Sequence, residues 1–116
     1  NLATTQAVIS MIRQNAGGTG SRSDVFQGGD NNTANTTQSA LNGFSDVRQN
    51  GVGNSSNVDQ QSGSDNRAEV EQYADGNTSS IVQNGSTNSA VVGQYSNGNQ
   101  SYVAQNGNNL SATVTQ

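Results

Sequence analysis

The clearest signal along the chain is an alternation of small or apolar with polar positions that restarts about every eleven residues. Each restart closes on a glutamine: Gln14, Gln27, Gln38, Gln49, Gln60, Gln72, Gln83, Gln94, Gln105 and Gln116. The heptads ending there read VISMIRQ, SRSDVFQ, NTANTTQ, GFSDVRQ, NSSNVDQ, NRAEVEQ, NTSSIVQ, NSAVVGQ, NQSYVAQ and LSATVTQ. Their third residue is always Ser or Ala, and their fifth is always β-branched. Alternation with period two is the signature of a strand, and no helical period competes with it. The first, third, fifth and seventh positions then share one face. The joints between heptads are rich in Gly, Asn, Asp and Ser, which tolerate the left-handed backbone of a tight reversal.

A strand of this length cannot bury its apolar side alone, whereas two facing strands form a flattened turn that stacks on copies of itself. A second-order pattern supports such pairs. Alternate heptads hold Arg22, Asp24, Asp46, Arg48, Arg67, Glu69 and Glu71, while the others hold only Arg13 and Asp59. Tyr73 and Tyr95 both follow a Gln, 22 residues apart, and are expected to stack. The predicted fold is all-β: a β-solenoid of five stacked rungs with two short, parallel, in-register strands per rung, in a cross-β arrangement rising about 4.8 Å per rung. Residues 1–7 read as an N-terminal tail or partial strand. Residues 8–116 read as one solenoid domain of five repeats: 8–31, 32–53, 54–76, 77–98 and 99–116. An extra residue near Gln61 disturbs the spacing.

The interior follows from the same register. Ile12, Val25, Val47, Val58, Val70, Ile81, Val92, Val103 and Val114 form the expected apolar ladder, with Thr36 in the remaining place. The ten Gln residues, with Asn32, Asn54, Asn66, Asn77, Asn88 and Asn99, form the expected interior amide ladders. An amide carries both donor and acceptor, so each can bond the copy above and the copy below.

Composition narrows the function. Asn, Ser, Gln and Thr make up about half of the 116 residues, and mean hydropathy is −0.75. Without Cys or His there is no thiolate site, no disulfide frame and no imidazole base, and neither a cofactor nor a metal is expected. Asp and Glu fall on outward or joint positions, and no base stands beside a Ser or Thr, so an enzyme is not expected. A net charge of −4 with four basic residues argues against a nucleic-acid partner. No apolar run is long enough for a transmembrane segment. Such a composition suggests disorder, but charged residues are only 10% and Pro is absent. The usual protection against β-stacking is missing.

The segment Gln83-Asn84-Gly85-Ser86-Thr87-Asn88-Ser89-Ala90-Val91-Val92-Gly93-Gln94 fits the pattern Q-x-G-x-x-N-x-A-x-x-x-Q. Gln49–Asn54 and Gln72–Asn77 follow it closely. The pattern resembles the curlin repeat of bacterial curli amyloid subunits, over residues 8–116. The resemblance implies a secreted structural protein that adds head to tail into extracellular, cell-surface-attached fibres of the biofilm matrix, for adhesion and surface colonisation. It implies a homopolymer whose Gln and Asn ladders drive assembly, and partners such as a nucleator subunit, a secretion channel and periplasmic chaperones. Ser21, Gly43 and Leu110 depart from the pattern by replacing Asn. The last repeat is regular and uncharged, which is closer to the major fibre subunit than to a nucleator. The chain carries no signal peptide and reads as mature or trimmed.

Both edges of the solenoid read as uncapped. The expected polymerisation ends are Val8, Ser10, Ile12, Gln14, Ser23, Val25 and Gln27 on one side, and Ser101, Val103, Gln105, Ala112, Val114 and Gln116 on the other. Asp24, Asp46 and Glu69 occupy one outward column, where like charges stack. They read either as gatekeepers that slow premature assembly or as a solvated face. Three rival readings remain. A repeat segment of a secreted adhesin predicts a longer chain. An ice-binding solenoid needs a flat Thr array, which Ser55, Asn57 and Asp59 interrupt. A calcium-bound β-roll needs G-G-x-G-x-D repeats, of which Gly28-Gly29-Asp30 is a single hint.

Overall fold

A computed structural model describes the backbone of residues 8–14 and residues 20–116 in full; the expected tail at 1–7 lies outside these described residues. Ten strands follow in order: β1 (Val8–Gln14), β2 (Arg22–Asp30), β3 (Asn32–Gln38), β4 (Phe44–Val52), β5 (Ser55–Ser62), β6 (Arg67–Gln72), β7 (Thr78–Asn84), β8 (Ser89–Gln94), β9 (Gln100–Asn106) and β10 (Ser111–Thr115). Odd strands pair in the order β1-β3-β5-β7-β9 and even strands in the order β10-β8-β6-β4-β2, giving two five-stranded sheets. Every pairing is parallel. About four full turns separate β1 from β9, so the five layers of strand are joined by four turns.

Register places like on like. Val25 pairs with Val47, Val47 with Val70, and Val70 with Val92. The same holds for Val58, Ile81 and Val103 on the other sheet. A slip of one residue would turn every inward side chain to solvent, so burial of one face holds this register. The alternation survives in the structure: along β3 buried and partly buried positions alternate without a break. The core is a thin strip of Ala34, Val47, Val58, Ala68, Val70, Ile81, Ala90, Val92 and Val103, with Val25, Ala112 and Val114 packed against it.

Two details differ from the heptad reading. Strands β2 and β4 each run nine residues, because pairing continues through the joint and Gly29 stays in register with Gly51. The extra residue near Gln61 is absorbed as a register shift between Gln60 and Ser62, while Gln60 still faces Gln83. The bulge lies at the exposed end of β5, past the buried Gln60, because a shift earlier in the strand would break the buried column.

Joint backbone is where single residues matter most. Asn42, Asp65, Thr87 and Asn109 take φ values of 50–61° at equivalent places in the joints that close a rung. Gly85 has φ 121°, and a Cβ there would lie 1.9 Å from the carbonyl oxygen of Gly107 in the next rung. Only glycine allows both that dihedral and that approach.

Candidate functional site

The most ordered chemistry in the molecule is the column of buried glutamines. On the even sheet, the Nε2 of Gln27 donates to Gln49 Oε1 at 2.8 Å, Gln49 to Gln72 at 2.8 Å, Gln72 to Gln94 at 2.8 Å, and Gln94 to Gln116 at 3.0 Å. On the odd sheet, Gln38 donates to Gln60 at 3.1 Å, Gln60 to Gln83 at 3.0 Å, and Gln83 to Gln105 at 2.9 Å. Gln38, Gln49, Gln60, Gln72, Gln83 and Gln94 have no exposed surface. An amide buried this deeply needs partners for both hydrogens and for its oxygen.

The remaining amide hydrogen goes sideways. Each heptad-closing Gln from Gln38 to Gln116 donates to the carbonyl at the start of the strand just before its own in the chain. The partners are Arg22 for Gln38, Thr33 for Gln49, Phe44 for Gln60, Ser55 for Gln72, Arg67 for Gln83, Thr78 for Gln94, Ser89 for Gln105 and Gln100 for Gln116. These bonds measure 2.7–3.1 Å. The glutamines are therefore cross-braces between the two sheets as well as ladder members. The strand pattern alone contains no sign of this second role.

The asparagines behave differently, which corrects the expectation that each amide bonds its own copy above and below. Asn32 Oδ1 accepts the backbone N–H of Asn54, Asn54 that of Asn77, and Asn77 that of Asn99. On the other sheet Asn66 accepts from Asn88, and Asn88 from Leu110. The side chain is one methylene shorter than Gln, so it reaches backbone and not the next side chain. Nδ2 of Asn32 caps the carbonyls of Gly28 and Gly51, and Nδ2 of Asn66 those of Ser62 and Gly85. The Nδ2 atoms of Asn54 and Asn77 are buried without a partner. Asn99 is only partly buried and Gln116 is exposed, because they belong to the outermost layer.

Of the substitutions that break the Asn pattern, Ser21 takes over the role. Its Oγ donates to the Ala40 carbonyl at 2.8 Å and accepts the Gly43 N–H at 3.0 Å. Gly43 has no side chain because a Cβ would lie 2.5 Å from Gln60 Oε1. Sequence reasoning also missed two further columns, one in the joints after the even strands and one in those after the odd strands. Val52 N–H bonds Asp75 Oδ1, and Asp75 N–H bonds Asn97 Oδ1. Ser64 N–H bonds Ser86 Oγ, and Ser86 N–H bonds Asn108 Oδ1. The 22-residue recurrence of short polar side chains in the joints was the available signal.

Of Val8, Ser10, Ile12 and Gln14 only the backbone, as β1, is described. Ser23, Val25 and Gln27 face inward on β2 and are partly exposed, as are Ser101 on β9 and Ala112 and Val114 on β10. Val103 and Gln105 are buried.

The outward face of the even sheet carries the charge. Asp24, Asp46 and Glu69 stand in one register column. Each is paired within its own strand: Asp24 with Arg22 at 2.8 Å, Asp46 with Arg48 at 3.2 Å, and Glu69 with Arg67. Arg48 is held above its ordinary pKa chiefly by Asp46. Exposed pairs of this kind add little stability, but they cancel like-charge repulsion along the column. The guanidinium of Arg67 lies 5.8 Å from the centre of the Phe44 ring. Tyr73 and Tyr95 stack with centroids 5.8 Å apart. Tyr95 donates its hydroxyl to Glu71 at 2.8 Å, and that bond raises the phenol's pKa. From β3 to β9 the odd sheet's outward face carries one charge, Asp59, in rows such as Thr33, Ser55, Thr78 and Gln100.

Among the described residues, no group of three or more His, Cys, Asp or Glu side chains is placed to hold a metal ion. Among the same residues no helix is long and apolar enough to cross a membrane. Residues 44–73, which span β4 to β6 and the residue after it, match the family model of the curlin associated repeat. No curated protein and no solved structure matches the chain.

Proposed function

From the curlin repeat at residues 44–73 and the uniform stacking of the rungs, we propose that this protein is the structural subunit of a curli-type functional amyloid. It assembles head to tail into extracellular, cell-attached fibres of the biofilm matrix and has no enzymatic role. The observation that carries this reading is that rungs are interchangeable. Every described Gln–Gln bond runs in the same direction in the same register, so the face a rung presents to the next is complementary to the face it presents to the one before. A heterologous head-to-tail contact that translates along an axis does not close, and it generates a filament.

Under this reading Ser101, Val103, Gln105, Ala112, Val114 and Gln116 on one side meet Val8, Ser10, Ile12, Gln14, Ser23, Val25 and Gln27 of the next copy. A nucleator subunit, a secretion channel and periplasmic chaperones are the other partners, as the family resemblance implies.

The test is assembly from the unfolded chain. Denatured protein diluted to micromolar concentration should show a thioflavin T lag that seeds abolish, and fibres with spacings of about 4.7 and 10 Å. A β-rich species that stays monomeric would overturn the proposal. Asp24, Asp46 and Glu69 act in it as gatekeepers, their charge contained by arginines on the same strands. Replacing all three with Asn should shorten the lag; an unchanged lag removes that role.

A further inference from the structure

Tyr73 and Tyr95 each follow the Gln that closes a strand, and Gln72 pairs with Gln94, so adjacent rungs set the two rings side by side. Their centroids are 5.8 Å apart with 27° between the planes, and the residues are 45% and 52% exposed. Solvent therefore reaches both rings, and each has room to turn about its own side chain. The third tyrosine, Tyr102, stands on the other sheet in a column with Asn35, Asn57 and Ser80.

Their surroundings separate the two phenols. Glu71 accepts the Tyr95 hydroxyl at 2.8 Å, and the Tyr95 ring lies over Gly93, where a Cβ would come within 2.9 Å of a ring carbon. Tyr73 instead has the Arg48 guanidinium beside its hydroxyl, a cation kept protonated chiefly by Asp46 and next by that hydroxyl. Losing one electron turns a phenol into a strong acid, so the loss is easiest where a base is already in contact. Glu71 is that base for Tyr95, whereas at Tyr73 a positive neighbour opposes removal of an electron.

We propose that Tyr73 and Tyr95 form an oxidative cross-linking site, at which a one-electron oxidant of the haem-peroxidase class joins the two rings as dityrosine. Tyr95 gives an electron to the oxidant and its proton to Glu71. Tyr73 gives an electron to the oxidant and its proton to water. The two phenoxyl radicals couple through one ring carbon ortho to each oxygen, and one C–C bond forms. The hydrogen on each coupled carbon then leaves as a proton while each oxygen takes one back, which restores two phenols. The pair loses two electrons and two protons in all, and one hydrogen peroxide becomes two waters. The link ties the end of β6 to the end of β8 and closes a loop that restricts the unfolded chain. A radical at Tyr102 meets no tyrosine in its own column and couples only between molecules.

The experiment exposes the folded chain to a haem peroxidase and hydrogen peroxide, at a concentration too low for association. Proteolysis and mass spectrometry should find a Tyr73–Tyr95 link, short of two hydrogens and with dityrosine fluorescence, in a chain still monomeric in denaturant. Tyr102→Phe should leave its yield unchanged and Tyr73→Phe should abolish it, with the circular dichroism of both variants as in wild type. Glu71→Gln keeps an acceptor for the Tyr95 hydroxyl but removes the base, and should slow the link about tenfold or more. No Tyr73–Tyr95 link, links through Tyr102 alone, or an equal yield from chain unfolded in urea would overturn the site. An unchanged rate in Glu71→Gln would overturn the assignment of Glu71 as proton acceptor. None of these outcomes depends on whether the chain forms fibres.

Discussion

Gln60 offers the most direct test of what the amide columns contribute to the fold. It is fully buried, accepts from Gln38, and donates to Gln83 Oε1 and to the Phe44 and Asn66 carbonyls. Gln60→Met keeps the length of the side chain and removes the amide. One Gln38 hydrogen and the Gln83 oxygen are then left buried without their partner, and the Phe44 and Asn66 carbonyls each lose one donor, the Asn66 carbonyl keeping the Phe44 N–H. Each orphaned group costs about 1–3 kcal/mol, so the two together cost about 4 kcal/mol. The thioether returns about 2 kcal/mol through its better transfer from water. A net destabilisation of about 2 kcal/mol remains, roughly a thirtyfold shift in the folding equilibrium. Guanidinium unfolding followed by far-ultraviolet circular dichroism, at a concentration too low for association, measures it if the slopes of variant and wild type agree. A variant within about 0.5 kcal/mol of wild type would refute the reasoning and leave the apolar strip as the source of stability.

The same core predicts the opposite sign for a hydroxyl. Ser79 is buried and its Oγ has no partner, while Ala34, Ala68 and Ala90 fill the equivalent place in other strands, so Ser79→Ala should stabilise by about 1 kcal/mol and raise the thermal midpoint. Gly85→Ala should lose more than about 2 kcal/mol, from strain and a clash with the Gly107 carbonyl. Gly98→Ala, at φ 72° with nothing within 4 Å of the added carbon, should lose only about 1 kcal/mol in the same melt, and equal losses would remove the clash argument. The Glu71 bond raises the pKa of Tyr95, so its contribution is complete below the ordinary tyrosine pKa of about 10 and is lost as pH rises through the folded value. Glu71→Gln should move the alkaline absorbance transition of Tyr95 to lower pH, and an unmoved transition would mean that the bond does not form in solution.

Sequence alone determined a great deal here, because the fold is a one-dimensional repeat. Period-two alternation and the recurrence of Gln identify the strands, their parallel pairing and the inward face. A buried column tolerates only one register, so Val47 had to lie between Val25 and Val70. The stacked Tyr73 and Tyr95 were legible for the same reason.

Tertiary structure decided what each inward polar group does. Gln and Asn look equivalent in a pattern of faces, yet the longer side chain reaches the next rung and braces the opposite sheet, while the shorter one turns back to the backbone. Ser21 reads as a defect in the repeat and proves to be a substitute for Asn. The two joint columns, Asp75 with Asn97 and Ser86 with Asn108, depend on backbone N–H groups whose direction is set only when rungs stack. Even the polarity of the glutamine ladder is three-dimensional in origin. One hydrogen bond across the rung orients a planar amide, and that orientation gives the whole stack a direction.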